Sequence, residues 1–194
     1  MSQNSAKTAK SALRAQVRER RLTRSASERA EAARGLGAHI GALIADQKIR
    51  TIAAFIPVDT EPPITRILDD LSRSGIQVLL PVSRPNRTMD WAVHAPGSEF
   101  ATDELGMPAP HGDPIHSDEL NDLDLVLCPA ALVDRRGYRL GWGLGYYDRF
   151  LASLTHRPRV LAVVFDDEIV ESLPHEEHDH PVDGVVTPAG LRWF

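Results

Sequence analysis

The chain has 194 residues, 42 % of them apolar, and a formal net charge of −5. That is enough for one domain with a substantial core and room for a helical appendage. Its single cysteine, Cys128, excludes a disulfide framework, no stretch approaches the ~20 apolar residues that span a bilayer, and the opening MSQNSAKTAK lacks the apolar core of a secretory signal. A soluble cytoplasmic protein with no membrane partner is therefore expected.

Residues 1–8 read as disordered and residues 9–194 as a single α/β domain. From about Ala9 to Thr23 the pattern is helical, and Lys10, Arg14, Arg18 and Arg21 recur at spacings that share one face. Ser25-Ala-Ser-Glu28 fits a capping box for a second helix running to about Asp46. RTIAAFIPV then reads as a strand, and Pro62-Pro63 opens a helix through ITRILDDLSR that stops at Gly75. IQVLLPV is the next strand and MDWAVHA a weaker one. Residues 96–121, rich in Pro, Gly, His and Asp, form a long loop. LDLVLCPAALV is the most buried strand, with Cys128 as a core residue rather than a nucleophile. A glycine-rich stretch follows, then a helix from about Tyr146. RVLAVVF, an acidic His-rich loop and a short last strand in DGVVTPAG complete the chain. Apolar strands alternating with helices predict an α/β fold: a mostly parallel sheet with helices on both faces and an N-terminal helical pair.

Charge is unevenly distributed. Residues 1–24 carry seven basic side chains against Glu19 alone, whereas the remainder carries 15 basic and 26 acidic ones. A basic N-terminus on an acidic body suits an anionic ligand, a nucleic acid or intramolecular attraction. The acidity of the body argues against a polyanion, so no nucleic-acid partner is expected. A monomer acting on small molecules is expected.

GYRLGWGLGYYDRFL, Gly137–Leu151, leaves a buried strand and enters a helix, at the edge of an α/β sheet where ligands bind. Gly141, Gly143 and Gly145 permit close backbone approach, the helix N-terminus favours an anion, and Arg139 offers a bidentate donor for phosphate. Asp148, in the first turn, is badly placed for an anion but well placed for its Mg²⁺. A structural turn accounts for the same glycines. The stretch is neither a Walker A loop, which needs Lys-Ser/Thr, nor a dinucleotide fingerprint.

RLGWGLGYYDRFL resembles the signature of the 5-formyltetrahydrofolate cyclo-ligase family. KSALR at Lys10–Arg14, FIPVDTEPP, LDLVLCPAALVDRRGYRLG and LPHEEHDHPVDGVVT resemble further family segments in the same order. The resemblance implies an ATP-dependent closure of 5-formyltetrahydrofolate to 5,10-methenyltetrahydrofolate, with ATP as co-substrate and Mg²⁺ as cofactor. It assigns ATP contacts to Lys10, Ser11, Ala12, Leu13 and Arg14. It extends them over Arg139, Leu140, Gly141, Trp142, Gly143, Leu144, Gly145, Tyr146 and Tyr147. Folate contacts fall to Ile56 and Glu61, joined by Trp142, Gly143, Leu144, Gly145 and Tyr146. Lys10 and Arg139 take catalytic roles, and Asp148 and Asp179 hold the metal. Three positions depart from the family pattern. Leu144 stands where Gly or Lys is common, Ala109 replaces a glutamate, and Trp142 is bulkier than usual, a stacking wall for the pterin.

Rival readings exist. HEEHDH at His175–His180 could ligate zinc, but it follows Pro174 and lacks helical His-Glu-x-x-His spacing, so a solvated acidic loop is simpler. One of Tyr146 and Tyr147 is expected to be ordinary helix packing. A nucleotide-binding or RNA-associated homologue without cyclo-ligase activity is the non-enzyme alternative, and intact Lys10, Glu61 and Asp148 favour the enzyme.

Overall fold

A computed structural model describes residues 3–58, 60–120, 122–176 and 179–194, with the side chains of residues 3–6 left aside. The elements in chain order are α1 (Gln3–Leu22), α2 (Ala26–Gln47), β1 (Thr51–Ala53), α3 (Thr65–Arg73), β2 (Gln77–Ser83) and β3 (Met89–Val93). Next come β4 (Ala101–Thr102), β5 (Pro108–Ala109), β6 (Ile115–His116), β7 (Leu125–Pro129), β8 (Leu132–Asp134) and β9 (Arg139–Leu140). The chain finishes with α4 (Tyr146–Ser153), β10 (Arg159–Val163), β11 (Ile169–Val170), β12 (Gly184–Thr187) and β13 (Gly190–Trp193).

The main sheet has eight strands in the order β13-β12-β10-β7-β1-β2-β3-β6. From β12 to β2 every pairing is parallel, and β13, β3 and β6 add antiparallel edges. Side chains of β7 alternate between faces, yet both faces are apolar. Leu125 and Leu127 join the layer under α2 and α3, while Val126 and Cys128 join the layer under α4. This explains why the strands read as continuous apolar runs. Among the described residues, no helix is long and apolar enough to cross a membrane.

Helix α2 begins where expected. Ser25 accepts from the Glu28 N–H, and the Glu28 carboxylate accepts from the Ser25 N–H, a complete capping box. Helix α1 starts at Gln3 rather than near Ala9. The reason is local: Ala6, Lys7, Ala9 and Lys10 are strong helix formers, and no glycine or proline interrupts them. Met1 and Ser2 of the segment expected to be disordered lie outside the described residues.

The apolar run LDLVLCPAALV is two strands, not one. After Pro129 the chain leaves the main sheet, and β8 pairs with β11 and β9 in a separate three-stranded sheet. Apolarity alone cannot say which sheet a strand joins. The last strand, likewise, is followed by β13, whose half-exposed residues carry a weak apolar signal. The long loop over residues 96–121 contains three two-residue strands and a 3-10 turn. Leu132 and Leu140 of the small sheet form a third apolar cluster with Val17 of α1, Ala131 and Leu173, and Leu13 and Trp142 pack against it. Helix α1 is thus seated on this second sheet.

Candidate active site

The strand order reverses at β1: β2 lies on one side and β7, reached later, on the other. A crevice at the carboxyl ends of the strands is the expected ligand site at such a point. A cleft of about 1180 Å³ lies there, floored by Phe55 and Ile56 after β1, Pro81 and Ser83 of β2, and Pro129 of β7.

One wall is the basic face of α1. Lys7, Lys10, Arg14 and Arg18 line the cleft because spacings of three and four keep them on one face. Lys10 Nζ is 3.0 Å from Asp179 Oδ2 and 3.8 Å from a Glu176 oxygen. Arg14 Nε donates to the Gly141 carbonyl at 2.7 Å. Burial and the neighbouring Arg18 lower the basicity of Arg14, partly opposed by Asp179. An anion in the cleft would relieve that crowding of positive charge. Arg21, placed on the same face by spacing, does not join this wall. Arg21 is fully buried, and its Nε and Nη2 each lie 2.7 Å from a carboxylate oxygen of the equally buried Glu168. Arg21 Nη2 also donates to the Ala130 carbonyl at 2.8 Å.

The glycine loop forms the roof. Gly143 has φ +100°, and a Cβ there would lie 3.4 Å from the Arg14 guanidinium carbon. Gly145 has φ +70°, and a Cβ would meet Arg149 Nη1 at 2.9 Å. Both positions need glycine for the left-handed backbone, and the side-chain space is filled by arginines of this chain. Arg149 Nη1 in turn donates to the Leu144 and Gly145 carbonyls at 2.9 and 3.0 Å. The loop is therefore shaped around cations and presents its backbone to the cleft. Leu144 is exposed at the rim.

Arg139, only 4 % exposed, binds Asp148 through Nη2 and donates from Nη1 to the His180 carbonyl at 2.8 Å. One guanidinium thus ties the first turn of α4 to the acidic loop that carries Asp179. Asp148 and Asp179 both line the cleft, each held by a cation rather than by the other. Among the described residues, no cluster of three His, Cys, Asp or Glu side chains forms a protein cage for a metal. Two hard carboxylates beside cationic side chains are a donor set that could hold Mg²⁺, an ion that keeps several waters among its ligands. His175 stacks on Tyr138 with ring centroids 3.9 Å apart, and His178 lies outside the described residues.

Glu61 faces the cleft from the loop after β1, with only 6 % exposure. Its backbone N–H donates to Val58 at 2.8 Å, and its Oε2 accepts from the Val58 N–H at 3.1 Å. Trp142 Nε1 donates to Oε1 at 2.8 Å. Burial raises the Glu61 pKa, opposed by the Val58 and Trp142 hydrogen bonds and by Arg21, while Glu168 adds to the rise. Trp142 also lines the cleft. Its ring packs against the third cluster, with the guanidinium carbons of Arg18 and Arg21 at 5.3 and 5.2 Å from its centroid.

Other expected residues divide. Ile56, Leu140, Tyr146 and Tyr147 line the cleft. Tyr146 donates to the Arg84 carbonyl at 3.3 Å. Tyr147 packs edge-on against Trp91 and Phe150, its hydroxyl buried without a partner among the described residues. Ser11 and Ala12 are exposed on other faces of α1, and Leu13 packs on the third cluster, so none of the three lines the cleft. Ala109 is buried. Cys128 is fully buried and its thiol pKa is pushed up to about 11, mainly by burial, which suits a core residue. Arg87, Leu22, Val58, Leu105 and Met107 also line the cleft and were not anticipated. The ends of β2 and its hairpin could have flagged Arg87, since they flank the same switch point.

Fold and site define an α/β protein whose switch-point cleft is lined by a cationic helix face and a buried carboxylate. Residues 6–188 match the 5-formyltetrahydrofolate cyclo-ligase family, and the chain belongs to that family as an enzyme of the cyclo-ligase class. It is 38 % identical over 144 residues to the 5-formyltetrahydrofolate cyclo-ligase of Mycolicibacterium smegmatis, covering 72 % of this chain and 74 % of the relative. It is 34 % identical over 142 residues to that of Escherichia coli K12, covering 72 % and 78 %. The NMR structure of the Aquifex aeolicus 5,10-methenyltetrahydrofolate synthetase superposes with TM-score 0.79 at 25 % identity, covering 95 % of this chain and 92 % of that one. The Mycoplasma pneumoniae synthetase, at 21 % identity and TM-score 0.73 over 92 % and 98 %, shares the fold.

Proposed function

We propose that the cleft brings ATP and 5-formyltetrahydrofolate together and closes the folate to 5,10-methenyltetrahydrofolate. The observation that carries this reading is that one cleft is lined both by cations, Lys10, Arg14 and Arg139, as the phosphate half-site, and by the buried, hydrogen-bonded Glu61 as the folate half-site. Family membership supplies the substrates.

The formamide oxygen of the substrate is a poor leaving group. Transfer of the γ-phosphoryl to that oxygen forms an O–P bond, breaks the bond to ADP and makes the oxygen a good leaving group. N10 then attacks the formyl carbon with loss of its proton, and the C–O bond breaks to release phosphate. Such a transfer needs positioning and charge neutralisation more than covalent help. Lys10 and Arg14 hold phosphate oxygens, and the loop Gly141–Gly145 presents its backbone to them. Arg139 is tied to Asp148 in the first turn of α4. Asp148 and Asp179 would hold Mg²⁺, which supplies charge neutralisation on the phosphates. Glu61 and Ile56 receive the folate.

The test is conversion of 5-formyltetrahydrofolate by purified protein with and without MgATP, following methenyl absorbance and ADP together. The expected result is one ADP per methenyl product and no product without ATP. Product formed without ADP, or ADP without product, would overturn the reading.

A further inference from the structure

Glu61 is a buried carboxylate whose two oxygens each have one fixed donor. Oε2 is bonded from within its own turn, by the Val58 N–H at 3.1 Å. Oε1 is bonded by the Trp142 indole of the glycine loop, 81 residues away, at 2.8 Å. A carboxylate has about four acceptor positions, so about two remain for a ligand. The turn alone fixes where Glu61 sits. The plane of its carboxylate is fixed only when the second oxygen is also held.

Trp142 is itself braced. Arg18 and Arg21 lie against its ring, and Arg21 is locked by its two bonds to Glu168 and one to Ala130. A chain of contacts therefore runs from the buried Glu168–Arg21 pair through the indole to the Glu61 carboxylate. Arg21 on α1, Glu168 in the turn 166–168 and Tyr147 on α4 are the other ionisable groups that influence Glu61. None of these three is hydrogen-bonded to it among the described residues.

We infer that Trp142 is a positioning residue for the folate half-site, its indole N–H fixing the Glu61 carboxylate so that the free acceptor positions meet the ring N–H donors of the substrate in one geometry. This rests on the reading that Glu61 contacts folate. Trp142 acts through Glu61 and takes no part in the phosphoryl transfer.

The experiment uses the full chain and the steady-state ring-closure assay. Trp142→Phe keeps an aromatic face for Arg18 and Arg21 but lacks the N–H and part of the ring volume, and Trp142→His controls for the lost volume. It is expected to raise the folate KM about tenfold, as for loss of a hydrogen bond to a charged group, and to change the ATP KM less than about twofold. Trp142→His, which keeps a ring N–H, is expected to fall between wild type and Trp142→Phe. Combined with Glu61→Gln, Trp142→Phe should add less than about twofold to the loss caused by Glu61→Gln alone, because both remove one interaction. Circular dichroism checks that each variant is folded, and if Trp142→Phe is not, Trp142→Leu, which also lacks a ring N–H, carries the same cycle. Equal rises in both KM values, or effects that multiply with Glu61→Gln, would overturn the role of Trp142. A wild type without turnover would instead overturn the functional reading, so the two failures are distinguishable.

Discussion

The two ends of α1 carry the same kind of charge at the same spacing and meet opposite fates. Lys10 and Arg14, toward the N-terminal end, face the cleft and hold the acidic loop and the glycine loop only partly buried. Arg21, two turns beyond Arg14, is sealed against Glu168, with Arg24 and Arg20 pairing Asp167 beside it. The difference shows that a basic stripe is not one functional unit. Its C-terminal end fastens the helix to the body, and its N-terminal end is thereby held over the cleft.

Breaking the buried end should have the largest effect. Arg21→Ala leaves Glu168 buried without its cation, and is expected to destabilise the fold by about 3–5 kcal/mol. Replacing both partners, Arg21→Met with Glu168→Leu, should recover most of that loss. Urea unfolding midpoints check both, and a double variant no more stable than the single one would show that the pair is not what matters.

Breaking the cleft end should move kinetics rather than stability. Lys10→Ala removes a partly exposed ion pair, expected to cost about 1 kcal/mol or less. Its ATP KM should rise about tenfold while the folate KM changes little. A rise in the folate KM of the same size would remove Lys10 from the phosphate site.

Glu61 sharpens the contrast, because it is a buried acid without the direct cation that Glu168 has. Burial holds its pKa above the ordinary value of 4.5. The folded chain therefore keeps this proton more tightly than the unfolded chain. The stability contribution is fully present below the ordinary carboxylate range and is lost as pH rises through the raised value. Because the Gln amide nitrogen would face one of the two N–H donors, Glu61→Gln carries a fixed offset, but its melting temperature relative to wild type should rise from pH 4 toward pH 8. Parallel melting curves across that range would contradict this.

The smallest effects should fall between the two ends. Ser11→Ala, on an exposed face away from the cleft, should change stability by less than about 0.5 kcal/mol and leave both KM values unaltered. A raised ATP KM would mean that the nucleotide reaches around the helix.

The sequence by itself determined the α/β class, the capping box at Ser25 and the helix at Tyr146, and it marked the glycine loop that lines the cleft. Each depends on local chemistry: apolar runs, a side chain that can satisfy a nearby N–H, backbone that must adopt positive φ. Lys10, Arg14, Arg139 and Glu61 stood out because their segments resemble those of a family, and all four line the cleft. Only the tertiary structure decided which arginines face the cleft, because helical spacing fixes a face but not what covers each turn of it. The β7–β8 break was equally hidden, since apolarity does not name the sheet a strand joins. Arg14 and Arg149 fill the space beside Gly143 and Gly145, and Trp142 reaches Glu61 across 81 residues. Contacts at such separation leave no periodicity in the chain, so these pairings exist only once the fold has brought the segments together.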